Sequence, residues 1–158
     1  MLLLKILAFT VLVPGSVIGW IPWCMVRARP RPIVDWTWPG TWIGFALLGV
    51  GVAIYGSCAW HFGARGGGTP APIDPPRTLV VSGPYRVVRN PMFVGVLVAL
   101  LGDVLVYRSP SVAVFAGSMA LLFHVFIVGY EEPKLRRLFG PSFIAYCESV
   151  PRWLPWQR

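Results

Sequence analysis

The 158-residue chain is 56% apolar and only 13% charged, with a net charge of +8 and a mean hydropathy of +0.65. A soluble domain carries about 25% charged residues, so this composition excludes a disordered chain and argues for a membrane protein. The basic residues flank apolar runs and form no basic face, which speaks against nucleic acid as a partner, and eight Trp and 16 Pro fit interfacial belts and broken loops.

The chain opens MLLLKILAFTVLV, and its apolar run continues to Val26. That is too long for a signal-peptide core, and no small-x-small cleavage site follows. Ile21-Pro22-Trp23 before Cys24 is too bulky for a lipoprotein signal. A retained first span is expected over residues 6–26, with Pro14 and Pro22 inside it. Further spans are expected over 41–61, 91–107 and 111–130, since about 20 apolar residues cross a hydrocarbon core roughly 30 Å thick. None of the runs alternates with period two, so helix is the spanning state. The third run is short, with only Arg108-Ser109-Pro110 between it and the fourth, which predicts a tight helical hairpin.

Between the second and third spans, residues 62–90 contain Gly66-Gly67-Gly68 and Pro70, Pro72, Pro75 and Pro76, and read as a loop. The glycine run lacks a following Lys-Ser/Thr and is no phosphate loop. After Glu131, Leu135, Leu138 and Phe139 recur at helical spacing among Lys134, Arg136 and Arg137, which predicts an interfacial helix. Pro141 interrupts it, and a second short helix is expected over 142–149. The fold class is therefore all-α: one polytopic membrane bundle of about four transmembrane helices over residues 1–158, capped by the 62–90 loop and the amphipathic tail.

Ten basic residues fall on the side of the termini and the second loop: Lys5, Arg65, Arg77, Arg86, Arg89, Lys134, Arg136, Arg137, Arg152 and Arg158. Four fall on the other: Arg27, Arg29, Arg31 and Arg108. The positive-inside rule then puts both termini and the second loop in the cytoplasm, most naturally of an inner or plasma membrane. Cys24, Cys58 and Cys147 are odd in number, widely spaced and without a CxxC, so no disulfide framework or metal site is expected.

Two features point to chemistry. Glu131 and Glu132 are adjacent carboxylates at the end of the fourth span, where they repel each other and are partly desolvated. Gly83-Pro84-Tyr85-Arg86-Val87-Val88-Arg89-Asn90-Pro91 brings arginines and a tyrosine up to the third span, with Pro91 suited to a first helical position. Both lie on one face of the membrane, so arginines from one segment can meet carboxylates from another. Asp103 is the only acid inside a span and is expected to pair locally, four residues from Tyr107, or to snorkel. His61 and His124 form no ligand cluster and read as structural.

The stretch GPYR-x-x-RNP-x-x-x-G (residues 83–95) resembles the signature of the isoprenylcysteine carboxyl methyltransferase and phospholipid N-methyltransferase group. Glu131-Glu132-x-x-Leu135, Phe139-Gly140, Tyr146, Val150-Pro151-Arg152 and Pro155 resemble that group's C-terminal pattern. The resemblance covers roughly residues 77–156, the expected cofactor-binding half. Asn90 stands where the family usually has His, and Phe93 where it has Tyr; Asn keeps hydrogen-bonding capacity but cannot titrate. Gly49-Val50-Gly51 is either the glycine pair of the phospholipid branch or a site of close helix packing, with Gly44 and Gly56.

The resemblance implies an integral-membrane enzyme using S-adenosylmethionine, with a lipophilic or lipidated acceptor entering from the bilayer. Arg89 or Arg86 would clamp the cofactor carboxylate. Glu131 or Glu132 would bind its amino group or ribose, and Tyr85 or Tyr146 would face its sulfonium. Gly83, Asn90 and Pro91 belong to the same cofactor-binding segment. Arg89, Glu132 and Arg152 are the candidate catalytic residues, with Glu132 as a base for an amine acceptor and Arg152 to orient an acidic one. Isoprenylcysteine carboxyl O-methylation is the first expectation and N-methylation of a phospholipid or other small lipid the second. A sterol-reductase-like NADPH enzyme and a non-catalytic membrane scaffold are the remaining alternatives.

Overall fold

A computed structural model describes residues 2–29, 33–61, 63 and 78–156. Most of the second loop lies outside the described residues, including Gly66–Gly68, its four prolines, Arg65 and Arg77; so do Arg31 and Arg158. The described residues are helical, with no strand among them. The elements are α1 (Leu2–Leu12), a π-turn (Ser16–Trp20), α2 (Ile21–Val26), α3 (Pro39–His61), a 3-10 turn (Gly83–Arg86), α4 (Pro91–Tyr107), α5 (Pro110–Phe126), a second π-turn (Ile127–Glu131), α6 (Glu132–Phe139) and α7 (Pro141–Ser149).

Among the described residues, three stretches are long and apolar enough to cross a membrane, Leu7–Val26, Pro39–His61 and Pro110–Phe139; α4 is a shorter apolar helix, at 17 residues. This is a polytopic helical membrane bundle. The first span accommodates its prolines through a π-turn and by placing Pro22 at the start of α2.

The bundle is built on α3 and α4, which run antiparallel in close contact. Glycines set the approach. A Cβ on Gly44 would lie 2.8 Å from the Gly102 carbonyl, and one on Gly102 would lie 2.6 Å from that of Gly44. Gly51 and Gly95 stand in the same mutual relation one step along. Small residues let backbones approach where lipid gives helices no hydrophobic reason to associate. The glycine reading is thus only half right: Gly49 and Gly56 face open space. The spacing that matters is seven residues, two helical turns, and not the Gly-x-Gly pair. Tyr55, Val96, Leu100 and Ala116 form the buried core where α3, α4 and α5 meet.

At one end, Ser109 caps α5 by accepting from the Val112 amide, Arg108 turns the hairpin with φ +46°, and Arg29 donates to Ser109 and Ser111. Arg108 pairs with Asp35 at 3.1 Å and lies over the Trp38 ring. Arg89 and Glu132 lie at the opposite end.

Two expectations need correction. Asp103 neither snorkels nor pairs with Tyr107: it is 2% exposed, and its Oδ2 has no hydrogen-bond partner. It lies beside Gly102 on the tightly packed stretch of α4, where a side chain cannot reach the interface. The amphipathic helix of the tail is not separated from the fourth span. α5, the π-turn and α6 form one helix of 30 residues, roughly 45 Å long at 1.5 Å per residue. That exceeds a hydrocarbon core of about 30 Å, and the apolar run ends at Tyr130, before Glu131, Glu132, Lys134, Arg136 and Arg137. The chain breaks at Gly140, φ +52°, and α7 folds back from there.

Candidate functional site

The signature segment reaches the third span through a tight turn. Gly83 takes φ +60°, and its missing side chain leaves room for the His61 imidazole at the end of α3. Tyr85 follows, and its carbonyl accepts a 2.6 Å hydrogen bond from the Tyr146 hydroxyl of α7. Residues 89–90 then run beside 151–152: the Arg89 amide donates to the Pro151 carbonyl at 2.8 Å, and Asn90 Nδ2 donates to the Arg152 carbonyl at 3.1 Å. Pro91, buried, opens α4.

This lacing brings together charges from three segments. Arg89 Nη1 donates to Glu132 Oε1 at 3.0 Å. Arg152 donates twice, Nε to Oε1 at 2.7 Å and Nη2 to Oε2 at 2.9 Å. Glu132 and Arg89 are each 14% exposed. Arg89 Nη1 also donates to Cys147 Sγ at 2.9 Å. Burial alone would raise the Glu132 carboxyl, but the hydrogen bond from Arg152 and the charges of Arg89 and Arg152 outweigh it and hold it below its ordinary value. The same bond raises Arg152. Glu131, one residue away, is pushed up to about 7, first by burial and then by Glu132. Burial also lifts Tyr85 and Tyr146, so both phenols are neutral at physiological pH.

The candidate residues therefore converge unequally. Arg89, Glu132 and Arg152 touch; Asn90 holds Arg152 by its backbone; Tyr146 holds the turn of Gly83 and Tyr85. Arg86 is exposed and takes no part in this clamp. Among the described residues, three buried polar atoms of the signature segment and the glutamate pair have no partner: Ser82 Oγ, Arg89 Nε and Glu131 Oε2. A buried acceptor and a buried donor without partners are costly, and they suit a polar guest carrying both signs of charge, as S-adenosylmethionine does.

Sequence reading missed Cys147 and the Pro151 carbonyl. Cys147 follows Tyr146 on the same helix, but nothing in a lone cysteine signals a guanidinium partner. The position where the family usually has His carries Asn90 as a strap to the tail, a job that needs a donor and no titration. Phe93, without the family's hydroxyl, packs its ring on Phe123 at 4.8 Å and near Phe126. His61 packs beneath Gly83 and binds the Ser57 carbonyl. His124 Nδ1 accepts from the Trp153 indole at 3.3 Å.

Beside the clamp, Trp153 and Leu154 roof an apolar groove of about 480 Å³ between α4 and α5, walled by Val94, Leu97, Val98 and Leu101. The wall residues are spaced three and four apart, so they form one stripe of α4.

The family described as phospholipid methyltransferase matches residues 39–142, well over half of the chain. Among curated proteins, the cobalt-zinc-cadmium resistance protein CzcN of Cupriavidus metallidurans is 32% identical over 75% of this chain and 53% of its own length. Protein-S-isoprenylcysteine O-methyltransferase A of Arabidopsis thaliana is 32% identical over 49% of this chain and 39% of its own length. The nickel-cobalt-cadmium resistance protein NccN of Alcaligenes xylosoxydans is 29% identical over 75% of this chain and 54% of its own length. The chain thus spans about half the length, or less, of these relatives. No solved structure matches it. The matched region takes in the α3–α4 pair, the signature turn and the glutamate pair, and the chain belongs to the phospholipid methyltransferase family.

Proposed function

We propose that this protein transfers a methyl group from S-adenosylmethionine to a lipophilic acceptor drawn from the bilayer. The reading is carried by one observation: residues from the family signature and the tail, Arg89, Glu132 and Arg152, close into a single charged clamp beside an apolar groove. The cofactor, when bound, supplies an electrophilic methyl on a sulfonium. Arg89, through its free Nε, would hold its carboxylate, and Glu132 a ribose hydroxyl or the amino group. Methyl transfer is an in-line displacement, so the residues work mainly by alignment. The acceptor's hydrocarbon would lie in the α4–α5 groove, with its polar end toward Arg152. The excess of basic residues at the clamp's end of the bundle supports a cytoplasmic site.

A carboxylate acceptor is supported by the likeness to the Arabidopsis methyltransferases, and a lipid amine by the matched family. The test is calorimetry of S-adenosylmethionine on the purified protein in detergent, beside Glu132→Ala and with NADPH as the control. Micromolar binding, abolished by the substitution, is the expected result. A folded protein that binds NADPH and not S-adenosylmethionine would overturn the reading in favour of a reductase.

A further inference from the structure

We propose that His124 and Trp153 are positioning residues that tie the apolar groove to the charged clamp, so that filling the groove strengthens the hold on the cofactor. This rests on the methyl-transfer reading above and deepens it. Residues 150–156 belong to no helix, and three of them are fastened in succession. The Pro151 carbonyl accepts from the Arg89 amide, the Arg152 carbonyl accepts from Asn90 Nδ2, and the Arg152 guanidinium forks onto Glu132. Trp153 is fastened to a different element, α5. Its indole Nε1 donates to His124 Nδ1 at 3.3 Å, and the two rings lie 25° from parallel.

The chemistry of α5 singles out this post. His124 is the one titratable side chain between Pro110 and Phe126, and such a residue inside a span is rare and marks a functional position. The other wall residues of the groove are Val94, Leu97, Val98, Leu101 and Ala120, all apolar, under a roof of Trp153 and Leu154. The imidazole therefore holds the one polar atom of the roof's indole. His124 stands eight residues before Glu132 on the same long helix, roughly 12 Å back along its axis. One strap of residues 151–154 thus reaches from the clamp to the groove.

The roof exists only while the strap is fastened. With the strap released, the groove loses Trp153 and Leu154, and the clamp loses Arg152. A hydrocarbon in the groove and a cofactor in the clamp each gain these contacts in the fastened state alone. A ligand shifts an equilibrium by its difference in affinity for the two states, and here both shift it the same way. The coupling is positive, and linkage makes it equal in both directions. Trp153 and Arg152 are consecutive residues, so the path between the two ligands is one peptide bond.

The test uses the whole protein in lipid nanodiscs. Calorimetry reads the affinity for S-adenosylhomocysteine, which has no methyl to give, and mass spectrometry reads hydrogen exchange over residues 150–156. N-acetyl-S-farnesylcysteine is the groove probe. At saturation it should raise the wild-type affinity about fivefold, what one neutral hydrogen bond contributes, and slow exchange over the strap. His124→Leu and Trp153→Phe should each lose both responses. The double variant should lose no more than either alone, because both remove the same bond. His124→Gln keeps an acceptor for the indole and should restore both responses, which a loss of packing alone would not allow. Trp153→Phe keeps a ring in the roof and decides the matter where His124→Leu does not fold. A probe that leaves the wild-type affinity unchanged or weakens it, a folded His124→Leu or Trp153→Phe protein with the full response, or losses that add in the double variant would each overturn the assignment. Absence of binding of either S-adenosyl compound to wild type would instead overturn the methyl-transfer reading beneath it.

Discussion

Arg152 grips Glu132 with two parallel hydrogen bonds, Nε to Oε1 at 2.7 Å and Nη2 to Oε2 at 2.9 Å. That fork geometry is available to a guanidinium and not to an ammonium. Arg152→Lys should keep the charge and lose the second bond. We expect the variant to fold, with cofactor affinity or turnover reduced at least about tenfold, since 1.4 kcal/mol is a tenfold change and a charged hydrogen bond contributes about 1.5–3 kcal/mol. Calorimetry on both proteins checks it.

The neighbouring glutamates should respond to pH in opposite senses. Glu132 is held below its ordinary value. Its stabilisation is complete above the unfolded carboxylate value and is lost as the pH falls through the lower folded one. The gap in thermal midpoint between wild type and Glu132→Gln should therefore close on acidification. Glu131 is raised to about 7, so its favourable contribution is present below the unfolded value and lost as pH rises through 7. Glu131→Gln should gain on wild type between pH 5 and pH 8.

Gly51→Ala should destabilise the bundle by about 1–3 kcal/mol, the usual cost of overpacking, because the new methyl would meet the Gly95 carbonyl and the Ala99 amide. Gly49→Ala, two residues away in open space, should be neutral or stabilising by up to about 1 kcal/mol through helix propensity. Thermal unfolding of both in one detergent separates a packing requirement from a general need for glycine.

Asn90→Asp should cost more than Asn90→Ala. Asn90 is 7% exposed and donates to the Arg152 carbonyl. Alanine leaves that carbonyl short of one donor, about 1–3 kcal/mol; aspartate sets a carboxylate oxygen against it. The measurement is thermal stability together with cofactor affinity, and both should fall in that order.

The spans were legible because an apolar run of about 20 residues has few other uses, and the clamp because its arginines and glutamates sit in short, ordered motifs. The faces of the spans were not legible. α3 is apolar on every side, so nothing in its sequence tells Gly51, against α4, from Gly49, against open space. Asp103 was misread for the same reason: which side of α4 is packed depends on α3. The join between the fourth span and the tail was hidden because a π-turn has no residue signature, and the charges from Glu131 onward marked the end of the apolar run without showing that the helix continues.

The clamp draws Arg89 from before the third span and Arg152 from beyond the fourth, 63 residues apart in the chain. The apolar helices and the closing half of the clamp are therefore separable stretches of the sequence. Pro151 and Arg152 follow the four apolar helices in the chain, and until they are made the Arg89 amide and the Asn90 side chain lack these partners. A chain stopped at Ser149 would keep all four apolar helices and lose the Arg152 half of the clamp.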